Sequence, residues 1–374
     1  MSIEVHMLGT SSARPTSVRQ VSGSVVSCRD GLIVVDAGEG FQTRFAEQRK
    51  RMKNYEKYHL KSSKVSVLCL THGHLDHTWG VLPWLQSMAL DSRQQPLLII
   101  GPTTGAVLDA LLDNQPLPTE ISKSDLAIQF RFWHQLGGKT SSLGYPVRWV
   151  LGDVQQNRWV EFVDDGTVMA LPSMPQPDGW HHNSIEALPT LHTTPSCAYR
   201  ITAGVERGKF DRERANELGL DDSQRAALAA GKDIEYDGVK LLSKDFRGMA
   251  TKALSVVISG DTSEMATGIT SLSDCDLLVH EATFLDDYSN HADDYLHSTA
   301  SGAARTALAC GAKHLVLTHY GARIKQPDGL LEEAMSAVKD TEIVITAACD
   351  GDRILVDSSG KIIHMYWRGS GWND

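Results

Sequence analysis

Residues 65–77, "VSVLCLTHGHLDH", limit how this chain folds more than any other stretch. The apolar half has the length and content of a buried strand. It empties into His72, His74, Asp76 and His77, four residues of metal-ligand type within six positions. Such a segment leaves little apolar material to pack, so a merely polar turn is the poorer reading. On an extended segment His72 and His74, two residues apart, turn to one side, while Asp76 and His77 lie past a turn and face a second point. Zinc and similar ions take neutral imidazoles and carboxylates at about 2.0–2.2 Å, about four ligands each. The cluster could give two ligands to each of two ions, and the rest must come from elsewhere in the chain.

Three further residues stand in the same relation to an apolar run. His192 follows "EALPTL", Asp261 follows "LSVVISG" and His319 follows "HLVLT". Each is polar at the end of a strand, where the active-site loops of layered α/β proteins gather. Taken singly, an Asp after Gly is a turn residue and a His at a strand end is structural; beside the cluster they are the candidates for the missing ligands. Isolated histidines such as His6, His59, His134 and His364 read as ordinary surface or core residues.

The rest of the chain gives these strands a scaffold. "IEVHMLGT" is a strand ending in a Gly turn. "SGSVVSCRDGLIVVDAGEG" is two strands around a turn, and "FQTRFAEQRKRM" is helical. "PLLIIGP" is a buried strand and "TTGAVLDALLDN" a helix. In "HSTASGAARTALACGA" Ser298 is placed as an N-cap and Gly311 as the stop. "TEIVITAACDGDRILVD" adds two strands around an Asp-Gly turn. Both halves alternate sheet and helix, which fits two sheets packed between helices. Two regions break the rhythm. Residues 115–190, rich in Trp and Pro, predict an elaborated β-rich insert, and residues 204–240 predict a charged helical arm. The whole, 1–374, reads as one domain.

Composition narrows the function classes. The net charge of −10 argues against bulk electrostatic binding of nucleic acid. No apolar run is long enough to span a bilayer, and the N-terminus does not read as a secretory signal. The six cysteines are scattered without a CxxC pair, as core thiols of a reducing compartment are. A cytoplasmic protein without a membrane partner is the expectation.

These motifs resemble the metallo-β-lactamase superfamily, whose fold is an αββα sandwich, and within it the ribonuclease Z branch of tRNA 3′-processing endonucleases. "THGHLDH", the later His192, "GDT" and "TH" carry the first resemblance. "MLGTSSARPTSVRQVSGSVV", "VVDAGEGFQTR", "HEATF" (280–284) and "HSTA" (297–300) carry the second, over about residues 5–325. The resemblance implies two zinc ions per chain. His72, His74 and His192 would hold one, Asp76, His77 and His319 the other, and Asp261 would bridge them. A water between the ions would be deprotonated near neutral pH to give a hydroxide nucleophile. Glu281 and His297 match an acid pair that protonates the leaving oxygen. Asp36 would hold ligand histidines from behind, and His280, beside Glu281, is a further candidate for that work. Arg19 is kept in a loop that helps read the tRNA acceptor end, while Ser17 and Gln20 replace the usual Lys and Asn. A homodimer is implied, with one subunit's arm serving the other's site. The arm matches at "GKFD" and "ELG", but "LDDSQ" replaces the expected Gly-Pro turn. Its Arg207, Lys209, Arg212, Arg214, Arg225 and Lys232 face Glu206, Asp211, Glu213, Glu217, Asp221 and Asp222.

The first functional expectation is therefore a di-zinc phosphodiesterase acting on pre-tRNA or a smaller phosphodiester. The second is β-lactam hydrolysis on the same site, with the Trp-rich insert shaping an apolar pocket. A bridging Asp261 favours the first, since dedicated β-lactamases of this superfamily generally lack it. A cyclic-nucleotide phosphodiesterase leaves "HEATF" and "HSTA" unexplained, and a non-enzymatic metal-binding protein is unattractive because no ligand is missing.

Overall fold

The computed structural model describes residues 2–56, 60–164, 166–205, 208–248, 250 and 252–373. His59, Glu206 and Arg207 lie outside them. Strands β1 (Ile3–Gly9), β2 (Gly23–Ser27), β3 (Leu32–Ala37), β4 (Val65–Cys69) and β5 (Leu97–Pro102) open the chain, followed by β6 (Val147–Asp153), β7 (Arg158–Phe162) and β8 (Val168–Leu171). Next come β9 (Asn183–Pro189) and β10 (Cys197–Ala203), then β11 (Ile234–Tyr236) and β12 (Val239–Leu241) within the arm. The chain ends with β13 (Leu254–Ile258), β14 (Leu277–Glu281), β15 (His314–Thr318), β16 (Val344–Ala347), β17 (Arg353–Val356), β18 (Ile362–Trp367) and β19 (Trp372–Asn373).

They form two mixed sheets and one small hairpin. Eleven strands run in the order β19-β18-β17-β1-β2-β3-β4-β5-β6-β7-β8, and six run in the order β16-β15-β14-β13-β10-β9. β3 to β6 are parallel, as are β13 to β16. Buried on both faces, these strands lose the polar alternation of a half-exposed sheet, which is why their sequences are continuously apolar. The period-2 alternation instead assigns each residue to one of two cores. Val67 and Cys69 join Tyr199, Val256 and Val279 between the sheets. Leu68, between them in sequence, points outward to Phe41, Trp84, Leu108 and Phe130 of the covering helices. On the other flank Leu278 and Leu315 pack on Ala303 and Leu330. The layers are thus helix, sheet, sheet, helix, the expected αββα sandwich.

Three local expectations change. The insert is not β-rich throughout: Leu126–Trp133 is a helix, capped by Asp125, and the strands begin only at β6. Its Trp159 edges a cleft with Val154, Met174, Ile185 and Leu188, but that cleft contains none of the ligand candidates. Trp149 is buried among Phe130, Trp133 and Phe162, and Trp159 lies in the core between the sheets. The cap of helix Ala300–Ala309 is Thr299, whose side chain accepts from Gly302 N, while Ser298 Oγ donates to the Thr262 carbonyl. Gly311, at φ +66°, does follow the helix end. Two strands do flank the Asp-Gly turn as expected, β16 in the smaller sheet and β17 in the larger. The arm has its own small core of Ala215, Leu220, Leu228 and Phe246. Among the described residues no helix is long and apolar enough to cross a membrane.

Candidate metal centre

The ligand candidates come from loops at one end of the sandwich. Leaving β4, Thr71 is pinned from three sides: its N–H and Oγ1 donate to Asp36 Oδ1 and Oδ2 at 2.8 Å each, and its carbonyl accepts from Cys197 N. His72 follows with no exposure, and the short helix Leu75–Thr78 carries Asp76 and His77. From the other sheet, Asp261 is delivered past β13 by Gly260. That glycine has φ +61°, and a Cβ there would lie 2.5 Å from Thr71 Cβ. His319 follows β15 directly and His192 follows β9. Asp36 (φ 59°) and His319 (φ 57°) both hold left-handed backbone, at a cost of order 1–3 kcal/mol each. Such strain persists where surrounding structure over-determines it.

The side chains converge in two sets that could each hold an ion: His72, His74, His192 and Asp261, and Asp76, His77, Asp261 and His319. In the first, His74 Nδ1 lies 3.1 Å from His72 Nε2 and 3.2 Å from His192 Nε2. In the second, His77 Nε2 and His319 Nε2 are 3.3 Å apart, each 3.6 Å from Asp76 Oδ2. Ligands about 2.05 Å from a tetrahedral ion stand about 3.3 Å from one another, so these spacings fit. Asp261 turns Oδ2 to the first set, 3.7 Å from His72 Nε2, and Oδ1 to the second, 3.2 Å from His77 and His319 Nε2. Oδ1 is buried and accepts no hydrogen bond despite that closeness. Ligand atoms aimed at a common point, not at one another, behave so, and the donor set therefore fits a pair of cations.

The opposite ring nitrogens are held. His77 Nδ1 is 2.7 Å from Asp36 Oδ2, His319 Nδ1 is 3.0 Å from Thr283 Oγ1, and His192 Nδ1 is 2.9 Å from the Leu296 carbonyl. Partners of this kind fix the tautomer and aim the other nitrogen. Burial lowers the pKa of His72 far below its usual value and that of His74 to about 4, leaving neutral imidazoles with a free lone pair. Burial works against the charge of Asp261, but His319, His77 and His72 hold its pKa well below the usual carboxylate range.

Beside these sets stand Glu281 and His297, with His319 completing a third cluster. His297 Nδ1 is 2.7 Å from Glu281 Oε1. Burial opposes protonation of His297, yet the Glu281 carboxylate raises its pKa to about 9. Glu281 is itself held by Thr262 N at 2.9 Å and by Thr283 Oγ1 at 2.5 Å.

Two expected residues stand elsewhere. His280 points to the opposite face of β14, where its Nδ1 bonds the Glu281 carbonyl and its buried Nε2 has no partner. Arg19 is buried, with both terminal nitrogens donating to the carbonyls of Ile324 and Lys325 and its guanidinium 4.9 Å above the Tyr320 ring. It fastens two loops together and has no free fork for a substrate phosphate. Conversely, sequence reasoning passed over Thr71 and Thr283, although both lie inside quoted motifs, "THGHLDH" and "HEATF". It also missed the Ala13 N–H, which donates to Asp76 Oδ2 at 2.7 Å.

Known proteins resemble this chain in sequence and in fold. The family model of the metallo-beta-lactamase superfamily matches residues 16–87. Ribonuclease Z of Haloferax volcanii is 31% identical over 367 residues, 96% of this chain and 98% of that protein. Ribonuclease Z of Halobacterium salinarum is 31% identical over 325 residues, 86% of this chain and 88% of its own length. The crystal structure of the short form of human tRNase Z shares the fold, with TM-score 0.55 and 20% identity over 94% of this chain and 98% of that one. A metallo-beta-lactamase fold protein from Bacillus subtilis does so at TM-score 0.56 and 17% identity, covering 95% of this chain and 100% of that one.

Proposed function

The chain belongs to the ribonuclease Z family of the metallo-β-lactamase superfamily, and from that premise we propose that it is a two-zinc phosphodiesterase that cleaves RNA on the 3′ side of tRNA. The observation that carries the reading is the pairing of two cation-ready sets with the Glu281–His297 dyad beside them. His72, His74 and His192 would hold one ion, Asp76, His77 and His319 the other, with Asp261 shared. Bound there, a zinc pair supplies an activated water at neutral pH and Lewis acidity for the phosphate oxygens.

The chain's own residues do the rest. Asp36 and Thr283 keep His77 and His319 turned to the centre. Cleavage breaks the bond between phosphorus and the 3′-oxygen, which leaves as an alkoxide and needs a proton. With His297 Nδ1 engaged by Glu281, its Nε2–H is the group free to donate. Glu281 keeps that imidazole charged until the proton leaves.

The test is a side-by-side assay of the zinc-loaded protein on pre-tRNA, bis(p-nitrophenyl) phosphate and a chromogenic cephalosporin. Turnover of pre-tRNA with release of a mature 3′ end is expected. Hydrolysis of the cephalosporin alone would replace this reading with lactam hydrolysis.

A further inference from the structure

We propose that Gln129, in the helix of the insert, is a positioning residue that sets the geometry of the His72–Gly73–His74 segment and thereby the affinity of the first ion of the pair. The inference rests on the two-ion reading above and concerns a residue outside both ligand sets.

The two histidines present different atoms, Nε2 from His72 and Nδ1 from His74, 3.1 Å apart. That convergence depends on the peptide between them, which lies outside any strand or helix. Thr71, before the segment, is tied to Asp36 and Cys197, and the His74 carbonyl, after it, accepts from His77 N and Thr78 Oγ1. Between these anchors, the Gly73 carbonyl accepts from Gln129 Nε2. The helix and the turn before it close on the segment from one side: a Cβ on Gly73 would fall 1.7 Å from the Ser124 carbonyl oxygen and 3.1 Å from Gln129 Nε2.

The helix is itself fixed to the sheet. Asp125 caps it through Ala127 N at 2.8 Å and accepts from Thr103 Oγ1, just past the end of β5. Leu126 packs so closely on Gly101 of β5 that a Cβ there would meet its Cδ1 at 2.2 Å. Gln129 therefore transmits the position of a rigid support to a loop that has no regular structure of its own. Its Oε1 is buried without a partner, so the Gly73 bond is what orients the amide. The histidines of the second set are aimed by other residues, Asp36 and Thr283.

Gln129→Met keeps the bulk and removes the donor. Its control is Gln86→Met, which deletes another glutamine bond to a backbone carbonyl, Gln86 Nε2 to Gly137 at 3.1 Å, away from the centre. Zinc content is measured against increasing chelator, with the absorption spectrum of the cobalt-substituted protein as a second readout. The expected result is loss of one ion at about ten-fold or more lower chelator in Gln129→Met, the other ion being retained as in wild type. Gln86→Met should titrate as wild type. If Gln129→Met does not fold, Gln129→Asn, whose amide ends one methylene short, takes its place with the same expectation. Unchanged retention, or simultaneous loss of both ions, overturns the inference alone. Wild-type protein that holds fewer than two ions overturns the two-ion reading and this inference with it.

Discussion

At the scale of residues, the strongest statement concerns His297. Its Nδ1 is held by Glu281, and it stands outside the two sets that share Asp261, in a third cluster with Glu281 and His319. His297→Ala should lower RNA cleavage by about 10²–10⁴-fold, the usual contribution of a general acid, with zinc content unchanged. A variant cleaving at the wild-type rate would remove His297 from the acid role. The ligand candidates were legible in the sequence because their chemistry is scarce: four ligand-type residues in six positions have few other uses. Thr71 and Thr283 were not, because threonine is common and their function lies in where one hydroxyl points. The fate of His280 was in principle readable. Neighbours in a strand face opposite ways, so His280 and Glu281 of β14 cannot both turn into the same centre.

At the scale of elements, the insert shows what a local pattern omits. Its Trp and Pro content suggested strands, yet Leu126–Trp133 is helical because Asp125 caps it and its apolar face packs on β5 and β6. That cap has a testable electrostatic signature. Burial raises the pKa of Asp125 to about 6, against the bonds from Ala127 and Thr103 that favour its charge. Its unfolded value is about 3.9. A folded pKa above the unfolded one contributes stability that is complete below about pH 4 and is lost as the pH rises through about 6. Asn keeps the capping oxygen without the charge. Asp125→Asn should therefore match wild type near pH 4 and be about 3 kcal/mol more stable at pH 8, as read from denaturant unfolding at the two values. A variant less stable at pH 8 would show that the ionised cap is favourable. The shift of the helix cap from Ser298 to Thr299 is smaller in kind. Either residue caps well, and tertiary bonding decided, since the Thr262 carbonyl takes the Ser298 hydroxyl.

At the scale of the whole molecule, the sandwich buries polar groups far from the metal centre as well as in it. His6 of β1 is fully buried, and burial lowers its pKa to about 4, with Glu4 opposing. Unfolded, it titrates near 6.5. A depressed folded pKa contributes stability that is present above about pH 6.5 and is lost as the pH falls toward 4. His6→Gln, which cannot take up a proton, should lose less thermal stability than wild type between pH 7 and pH 4.5. Parallel melting curves for the two proteins would show that His6 does not drive acid unfolding.

The sequence by itself determined the layers and most of the centre. Short continuous apolar runs bounded by turn residues read as strands buried on both faces, and where such strands run parallel the polar residues at their ends collect at one end of the sheet. Only the tertiary structure decided which atoms meet. The two carboxylate oxygens of Asp261 divide between two sets of imidazoles because β13 lies opposite β4 across the inter-sheet core, an alignment of residues nearly two hundred positions apart. The same packing turned Arg19 inward to two carbonyls, and it brought a helix of the insert against Gly73. Spacing along a chain fixes which face a side chain takes, but the distance between two faces is set by everything packed between them.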